Sequence, residues 1–473
     1  MESNNKMMQI EPINTIMNAD SYKDSHFNQL PPGTTHMYSY IESRGGMFDK
    51  TLFFGLQMFL KQYLSVPITL QDINDAEEDS SIHGTPFNRQ GWMYILRNHN
   101  GYMPVEIRAL PEGTVIPTRN VLLTIVNTDP NVPWITSYVE TALLRAIWYP
   151  TTVATLSWHA KQIIRSYLEK TCDNPEAELP FKLHDFGARG ASSEETAALG
   201  GTAHLVNFMG TDTKSALRYA RHFYGERMAG FSIPAMEHST VTSWGKDNEI
   251  GAYKNMLQNY AKPGKILAIV SDSYDLENCV RNIWGDALKE DVINSGAVVV
   301  VRPDSGDPEL VPTETIKILG EKYGSTVNKK GYKVLHPSVR VIQGDGVNID
   351  TIPIIYDNLT KMGWSAENLN LGMGGGLLQK VDRDSLRFAM KASAVCINGV
   401  WQDVYKDPVG DPGKRSKKGR FVVTFNPDDG WQTLPLNSGH DWDDMLQPVW
   451  RDGVLLRDQS FQQIREISNL QFS

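Results

Sequence analysis

Cysteine is scarce: Cys172, Cys279 and Cys396 are the only three, far apart along 473 residues. They supply neither a disulfide framework nor a metal-ligand cluster, and a reduced cytoplasm is the compartment they suit. Long apolar runs are missing too. The longest candidates, such as AVVVV at 297–301, fall well short of the roughly 20 apolar residues that cross a bilayer and have the length of buried strands. The opening MESNNKMMQIEP holds no apolar segment of the signal-peptide kind. Basic residues are outnumbered, 46 against 55 acidic, giving a net charge of −9. That balance argues against a surface built to cover a nucleic-acid backbone, while leaving room for a local basic pocket. There is no GxxxxGK[ST] loop, and GMGGG at 372–376 lacks both the GxGxxG arrangement and the early strand context of a dinucleotide fold. ATP or NAD chemistry would have to enter by another route.

Hydrophobic residues at 41% and charged residues at 21% are ordinary for a globular enzyme, so the chain can bury a large core. LFFGLQMFLKQYL at 52–64 has helical spacing of bulky apolar residues, and PVEIRALPEGTVIPTRNVLLTIV at 104–126 reads as antiparallel strands separated by Pro, Gly and Asn turns. The rhythm changes near residue 150. VATLSWHAKQIIRSYLEK at 153–170 reads as an amphipathic helix, and apolar segments then end repeatedly in compact polar motifs: KLHDFGARG, KILAIVSDSYD, AVVVVRPDSGD, VRVIQGDG and ENLNLGMGGG. Helical stretches lie between several of them. Strand, loop and helix in alternation predict an α/β fold with parallel strands, whose reactive groups sit in the loops after the strands as in a β/α barrel. In the last hundred residues, FVVTF beside the basic run KRSKKGR predicts a strand, and the GHDWDD and WRDG segments read as surface connections of a mixed domain.

The motifs offer distinct chemistry. In RPDSGD, Arg302 suits a bidentate phosphate contact, and Asp304 and Asp307 suit hydroxyl groups or a divalent ion. The glycines of QGDG at 343–346 and of GMGGG can present successive amides to an anion, or can simply relieve tight packing. Phe186 of HDFGARG can stack on a flat heteroaromatic ring, with Arg189 at a phosphate or at the ring edge; a core ring is the plainer alternative. Asp212 of GTDT reads equally as a helix cap or as the acceptor for a substrate amide. His238 of PAMEHST can accept a phosphoryl group, and Asp272 of SDSYD can orient it, while Asp275 can cap the following helix. No metal quartet emerges, so magnesium carried on substrate phosphates fits better than a dedicated zinc site.

The combined order of YKDSH, HDFGARG, GTDT, EHST, SDSYD, RPDSG, IQGDG, GGGLLQK and KDPVGDPGKRSKKGR closely resembles the nicotinamide phosphoribosyltransferase family, through nearly the whole chain. The resemblance implies transfer of phosphoribosyl from 5-phosphoribosyl-1-pyrophosphate to nicotinamide, giving nicotinamide mononucleotide and pyrophosphate. It also implies an irregular β/α-barrel-like core at 151–384, with an additional mixed, β-rich domain assembled from 1–150 and 385–473. The expected partners are a second copy of the chain, nicotinamide, the activated ribose and ATP, with no nucleic acid or membrane.

Carried onto this sequence, Phe186 is one face of a nicotinamide sandwich and Tyr22 the other, from the second subunit; Asp212 accepts from the carboxamide, with Arg189 near ring and phosphate. Arg302 and Asp304 position the base and the ribose, and Gly344, Asp345, Gly374 and Gly375 complete the cradle. Arg44, Arg383 and Lys391 match phosphate contacts made across the interface, Lys406 and Lys414 nucleotide contacts. His238 resembles a histidine phosphorylated by ATP, with Asp272 holding its ring. Two departures, Ala188 for a tyrosine and Ala268 for a serine of the animal pattern, remove no proposed catalytic group. The alternatives are nicotinate phosphoribosyltransferase, against which Asp212 argues, and a catalytically weak nucleotide-binding or signalling protein.

Overall fold

The computed structural model describes residues 14–410, 415–439 and 442–470. The chain forms two compact units. The first is drawn from both ends of the chain, up to Trp148 and again from Arg383 to Gln459; the second is Tyr149–Asp382 with Ser460–Ser468. Among the described residues no helix is long and apolar enough to cross a membrane.

The first unit is built on a seven-stranded antiparallel sheet in the order Val400–Asp403, Phe388–Ile397, Thr34–Ser43, Val121–Asn127, Val105–Ala109, Gln447–Arg451, Val454–Leu455. Its central strands are apolar on a face that packs against Trp92, Trp134 and Tyr138, three rings in edge-to-face contact. The expected strands at 104–126 are present as Val105–Ala109, Val115–Pro117 and Val121–Asn127. The expected helix over 52–64 starts later, at Leu56, because Gly55 takes a left-handed φ of 108° and Lys50–Leu52 is already a strand against Val115–Pro117. WRDG is only partly a connection: Trp450 is buried within Gln447–Arg451, and the turn follows it.

The second unit carries a six-stranded parallel sheet. In chain order its strands are β1 Leu183–Asp185, β2 Gly210–Thr211, β3 Ile266–Val270, β4 Val298–Arg302, β5 Val339–Gln343 and β6 Leu369–Met373. They lie in the order β2-β1-β6-β5-β4-β3. β-branched runs such as VVVVR of β4 suit strands buried on both faces. The sheet curls, and the segment Phe231–Met236 bridges its two edges. Phe231 pairs with Gly210 of β2 and Ala235 with Ala268 of β3, held by Thr211 N–H to Phe231 O at 3.0 Å and Met236 N–H to Ala268 O at 3.0 Å. This bridge makes the α/β core barrel-like. Inside it, Ala268, Val300 and Ile342 pack with Phe186 and Ile233.

Ser460–Ser468 lies outside the division expected from sequence, which assigns it to the mixed domain. Phe461 is fully buried against Tyr224, and Arg465 donates to the carbonyls of Leu205 and Ala229, so the segment belongs to the barrel unit.

Candidate active site

Strand geometry decides which groups can face a substrate. Side chains alternate along a strand, so His184 and Phe186 share one face at the end of β1 while Asp185 points to the other. The Phe186 ring lies against His184, with centroids 6.1 Å apart. Its edge rests on two glycines. A methyl group at Gly372 would lie 2.0 Å from Phe186 Cε2, and one at Gly344 would lie 3.3 Å away. The backbone is fixed as well, since Phe186 N–H donates to Met373 O at 3.0 Å. The following turn, Ala188–Gly190, comes close to the glycine loop after β6: a Cβ on Gly187 would meet Gly374 O at 2.9 Å, and one on Gly190 would meet Gly375 at 3.4 Å. Arg189 is exposed on that turn.

Asp212 follows β2 directly, and its N–H donates to Asp185 O at 3.0 Å, which places it beside the Phe186 loop. The residue at the cap position of the next helix, Lys214–Tyr224, is Thr213 rather than Asp212. The Asp212 carboxylate instead accepts from Ser232 Oγ at 2.5 Å. Ser232 sits on the bridging segment, so closure of the barrel sets the orientation of this acceptor.

The same segment leads into His238. Its Nε2 is 3.0 Å from Asp272 Oδ1 and its Nδ1 is 3.9 Å from Asp304 Oδ2. The His238 side chain is 45% exposed while that of Asp272 is 3% exposed, so the carboxylate is a fixed base under a reachable ring. Asp272 also accepts from Asp304 N–H at 3.2 Å, and Arg302 Nη2 bonds Asp304 Oδ2 at 2.9 Å. Four expected residues, from the ends of β3 and β4 and from the helix His238–Thr242 that follows the bridge, thus form one cluster. Asp275 caps the helix that begins at Leu276, and Asp307 closes a turn on Glu309 N–H. Asp345 is exposed, and its carbonyl accepts from Gln343 Nε2 at 2.8 Å.

Tyr22, Arg44, Arg383, Lys391 and Lys406 lie in the first unit. Burial lowers the Lys391 ammonium pKa; nearby Glu140 opposes that effect, and Arg44, Lys406 and Arg383 add to it. These four cations therefore share one neighbourhood. Arg44 is held by the buried carboxylate of Glu42, which also pairs with Lys417. Tyr22 is 58% exposed on the short helix Ser21–Asn28. Lys414 lies outside the described residues.

Sequence reasoning missed Ser232 and Gly201. A Cβ on Gly201 would stand 3.0 Å from Asp185 Oδ2. Neither announces itself without the fold, although the Gly200–Gly201 pair inside a helical stretch is an available signal. Among the described residues no group of three or more His, Cys, Asp or Glu is arranged to hold a metal ion.

The Phe186 ring, the Asp212 carboxylate, the glycine loops and the carboxylate-held His238 all lie at or beyond the ends of the parallel strands, the position at which β/α enzymes carry their active sites. Solved structures of like fold include nicotinate-nucleotide pyrophosphorylase from Pyrococcus furiosus (TM-score 0.63, 14% identity, 98% of this chain and 96% of that one) and human nicotinic acid phosphoribosyltransferase (0.58, 15%, 95% and 92%). Residues 181–462 match the nicotinate phosphoribosyltransferase family, and residues 14–107 match the N-terminal domain of nicotinamide phosphoribosyltransferase. The nicotinamide phosphoribosyltransferase of Xanthomonas campestris pv. campestris is 53% identical over 457 residues, covering 96% of this chain and 97% of the relative. That of Acinetobacter baylyi is 31% identical over 504 residues, covering 97% of each. The chain belongs to the nicotinate and nicotinamide phosphoribosyltransferase family and is an enzyme of the pentosyl-transferring class.

Proposed function

We propose that the enzyme transfers 5-phosphoribosyl from 5-phosphoribosyl-1-pyrophosphate to nicotinamide, giving nicotinamide mononucleotide and pyrophosphate in NAD salvage. The observation that carries this reading is the Asp212 carboxylate beside the Phe186 loop, with Ser232 bonded to its Oδ1. An ionised carboxylate is an acceptor only, so it suits a carboxamide donor and repels the carboxylate of nicotinate. In the transfer the pyridine nitrogen attacks the anomeric carbon as the bond to pyrophosphate breaks. That nitrogen has no proton to lose, so the chain's task is alignment and stabilisation of the leaving charge. Phe186 aligns the ring. Asp304 faces ribose hydroxyls, Arg302 the phosphates, and the amides of Gly344, Gly374 and Gly375 line the phosphate cradle. Magnesium, if carried in by the pyrophosphate, would neutralise part of that charge.

His238 takes the γ-phosphoryl of ATP on a ring nitrogen, releasing ADP, and water later removes it as phosphate; Asp272 fixes the ring. The working form is a homodimer in which Tyr22, Arg44, Arg383 and Lys391 serve the site of the other subunit, with Lys406 and Lys414 at the nucleotide. The test is turnover of nicotinamide and of nicotinate with the activated ribose, with and without ATP. Preference for nicotinamide and stimulation by ATP are expected; preference for nicotinate would overturn the substrate assignment. Mixing Phe186→Ala and Arg383→Ala chains should restore activity through one intact site per mixed dimer, and no recovery in confirmed mixed dimers would refute the shared site.

A further inference from the structure

Asp185 touches no substrate in the reading above, since it sits on the side of β1 opposite Phe186. It is fully buried on that helix-covered side. Its Oδ1 accepts from Gly187 N–H at 2.7 Å, and its Oδ2 accepts from Thr211 Oγ1 at 3.5 Å. The Thr211 hydroxyl is oriented in turn, because it accepts from Thr213 N–H at 3.0 Å. The Asp185 carbonyl takes Asp212 N–H. One residue therefore reaches both walls of the base site: the turn that carries Phe186 and the loop that carries Asp212.

The surroundings are shaped for that carboxylate. Gly201 leaves the space that its Oδ2 occupies, as any Cβ there would also meet Ala216 at 2.8 Å. Among the described residues no cation is bonded to it. Lys182, three positions earlier and also buried, is committed to Glu178, the Glu367 carbonyl and Asn370. A buried charge without a counter-ion is expensive, and packing alone would be served better by a neutral side chain. Asparagine has the same shape but cannot accept on both arms. With its oxygen on Gly187 N–H, its amide would face Thr211, whose hydroxyl proton would lose its acceptor.

We infer that Asp185 is a positioning residue for base recognition, a single buried carboxylate that sets the Phe186 turn and the Asp212 loop against each other. This rests on the reading that Phe186 and Asp212 hold the base. Arg302, Asp304 and Gly344, assigned to the activated ribose, follow other strands, and the turn meets the phosphate cradle only at Gly374 and Gly375, so its binding should change far less than that of the base.

The test is steady-state kinetics on the full-length enzyme with Asp185→Asn and Thr211→Val. The second variant keeps β-strand shape and removes one donor to the carboxylate. Asp185→Asn should raise the nicotinamide KM about tenfold, with a smaller rise for Thr211→Val, as expected for a disrupted buried hydrogen bond. The KM for the activated ribose should stay within about twofold in both. Equal rises in the two KM values, or an unchanged nicotinamide KM in variants that fold, would overturn the inference. Thr211→Val decides it alone if Asp185→Asn does not fold. If the unsubstituted enzyme does not turn over nicotinamide at all, the underlying reading falls instead, before any variant is made.

Discussion

Replacing Gly372 with alanine tests the placement of the Phe186 ring most directly. The added methyl would lie 2.0 Å from Cε2, 2.2 Å from Cδ2 and 2.9 Å from Cζ of that ring. Carbon atoms pack at about 3.5–4.0 Å, so the ring must withdraw by about 1.5 Å. It cannot do so through its backbone, which is tied to Met373 O. The side chain must rotate. Overpacking of this kind costs about 1–3 kcal/mol when a neighbour cannot move. Phe186 is only half-buried, so the stability loss should lie at the low end and the functional loss should dominate. Displacement of a positioning group by an ångström can cost about 100-fold in rate. Gly344→Ala is the internal control, because its methyl would sit 3.3 Å from the same ring edge and need a shift of only tenths of an ångström. With nicotinamide varied at saturating activated ribose, kcat/KM should fall about 100-fold for Gly372→Ala and only a few-fold for Gly344→Ala. Equal effects, or a Gly372→Ala enzyme near wild type, would mean that the ring does not rest on this floor.

Other perturbations separate the remaining roles. His238→Ala should abolish acid-labile phosphorylation by labelled ATP while ATP-independent transfer persists, and label retained on the protein would place the phosphoryl group elsewhere. Ser232→Ala frees the exposed Asp212 carboxylate to turn, so preference for nicotinamide over nicotinate should weaken a few-fold, at a stability cost below about 1 kcal/mol; unchanged preference would remove Ser232 from recognition. Burial pushes the Asp185 carboxyl up from 3.8 to about 6, an effect that nearby Asp212 strengthens and that the donors Gly187 and Thr211 and the neighbouring Thr213 oppose. Tyr149, whose phenol is raised by burial and then by Asp185, is the other titratable neighbour. A carboxyl raised on folding stabilises the protein fully below its unfolded value and loses that contribution as pH rises through about 6, of order 3 kcal/mol in total. The stability of Asp185→Asn relative to wild type should therefore increase between pH 4 and pH 7.5 in parallel denaturation series, and a difference independent of pH would show that the group does not titrate there.

Most of the parallel core was legible because strands such as β3, β4 and β5 are short β-branched or aliphatic runs followed by Gly, Asp or Ser, as in VVVVRPDSG and VRVIQGDG, whereas the two-residue β2, Gly210–Thr211, carries no such run. Arg302, Asp304 and Asp272 could be placed at strand ends for the same reason. The bridge Phe231–Met236 could not be read this way. It contains Pro234 and makes only isolated pairings, so its strand-like role exists only between two edges that are already formed. Ser232 was hidden with it. Asp212 stood equally between cap and acceptor until Thr213 took the cap position. Asp185 was visible in HDFGARG, but its direction depends on where β1 begins, and a shift of one residue would have turned it into the base site. The helix Phe461–Asn469 follows mixed-domain strands in sequence, yet its anchors, Tyr224 and the Leu205 carbonyl, lie far back in the chain.

The antiparallel sheet has a consequence for biosynthesis. Thr34–Ser43 lies between Val121–Asn127 and Phe388–Ile397, so one of its two neighbours is among the last parts of the chain to be made. At about 5–20 residues per second, that edge stays open for tens of seconds while residues 149–382 are made, and the barrel unit itself still waits for Ser460–Ser468. An unpaired edge is a template for the wrong strand, and polysomes carrying many such chains hold the edges close together. A stop codon just after Asp382 would therefore do more than shorten the protein: it would fix every chain at its most adhesive stage.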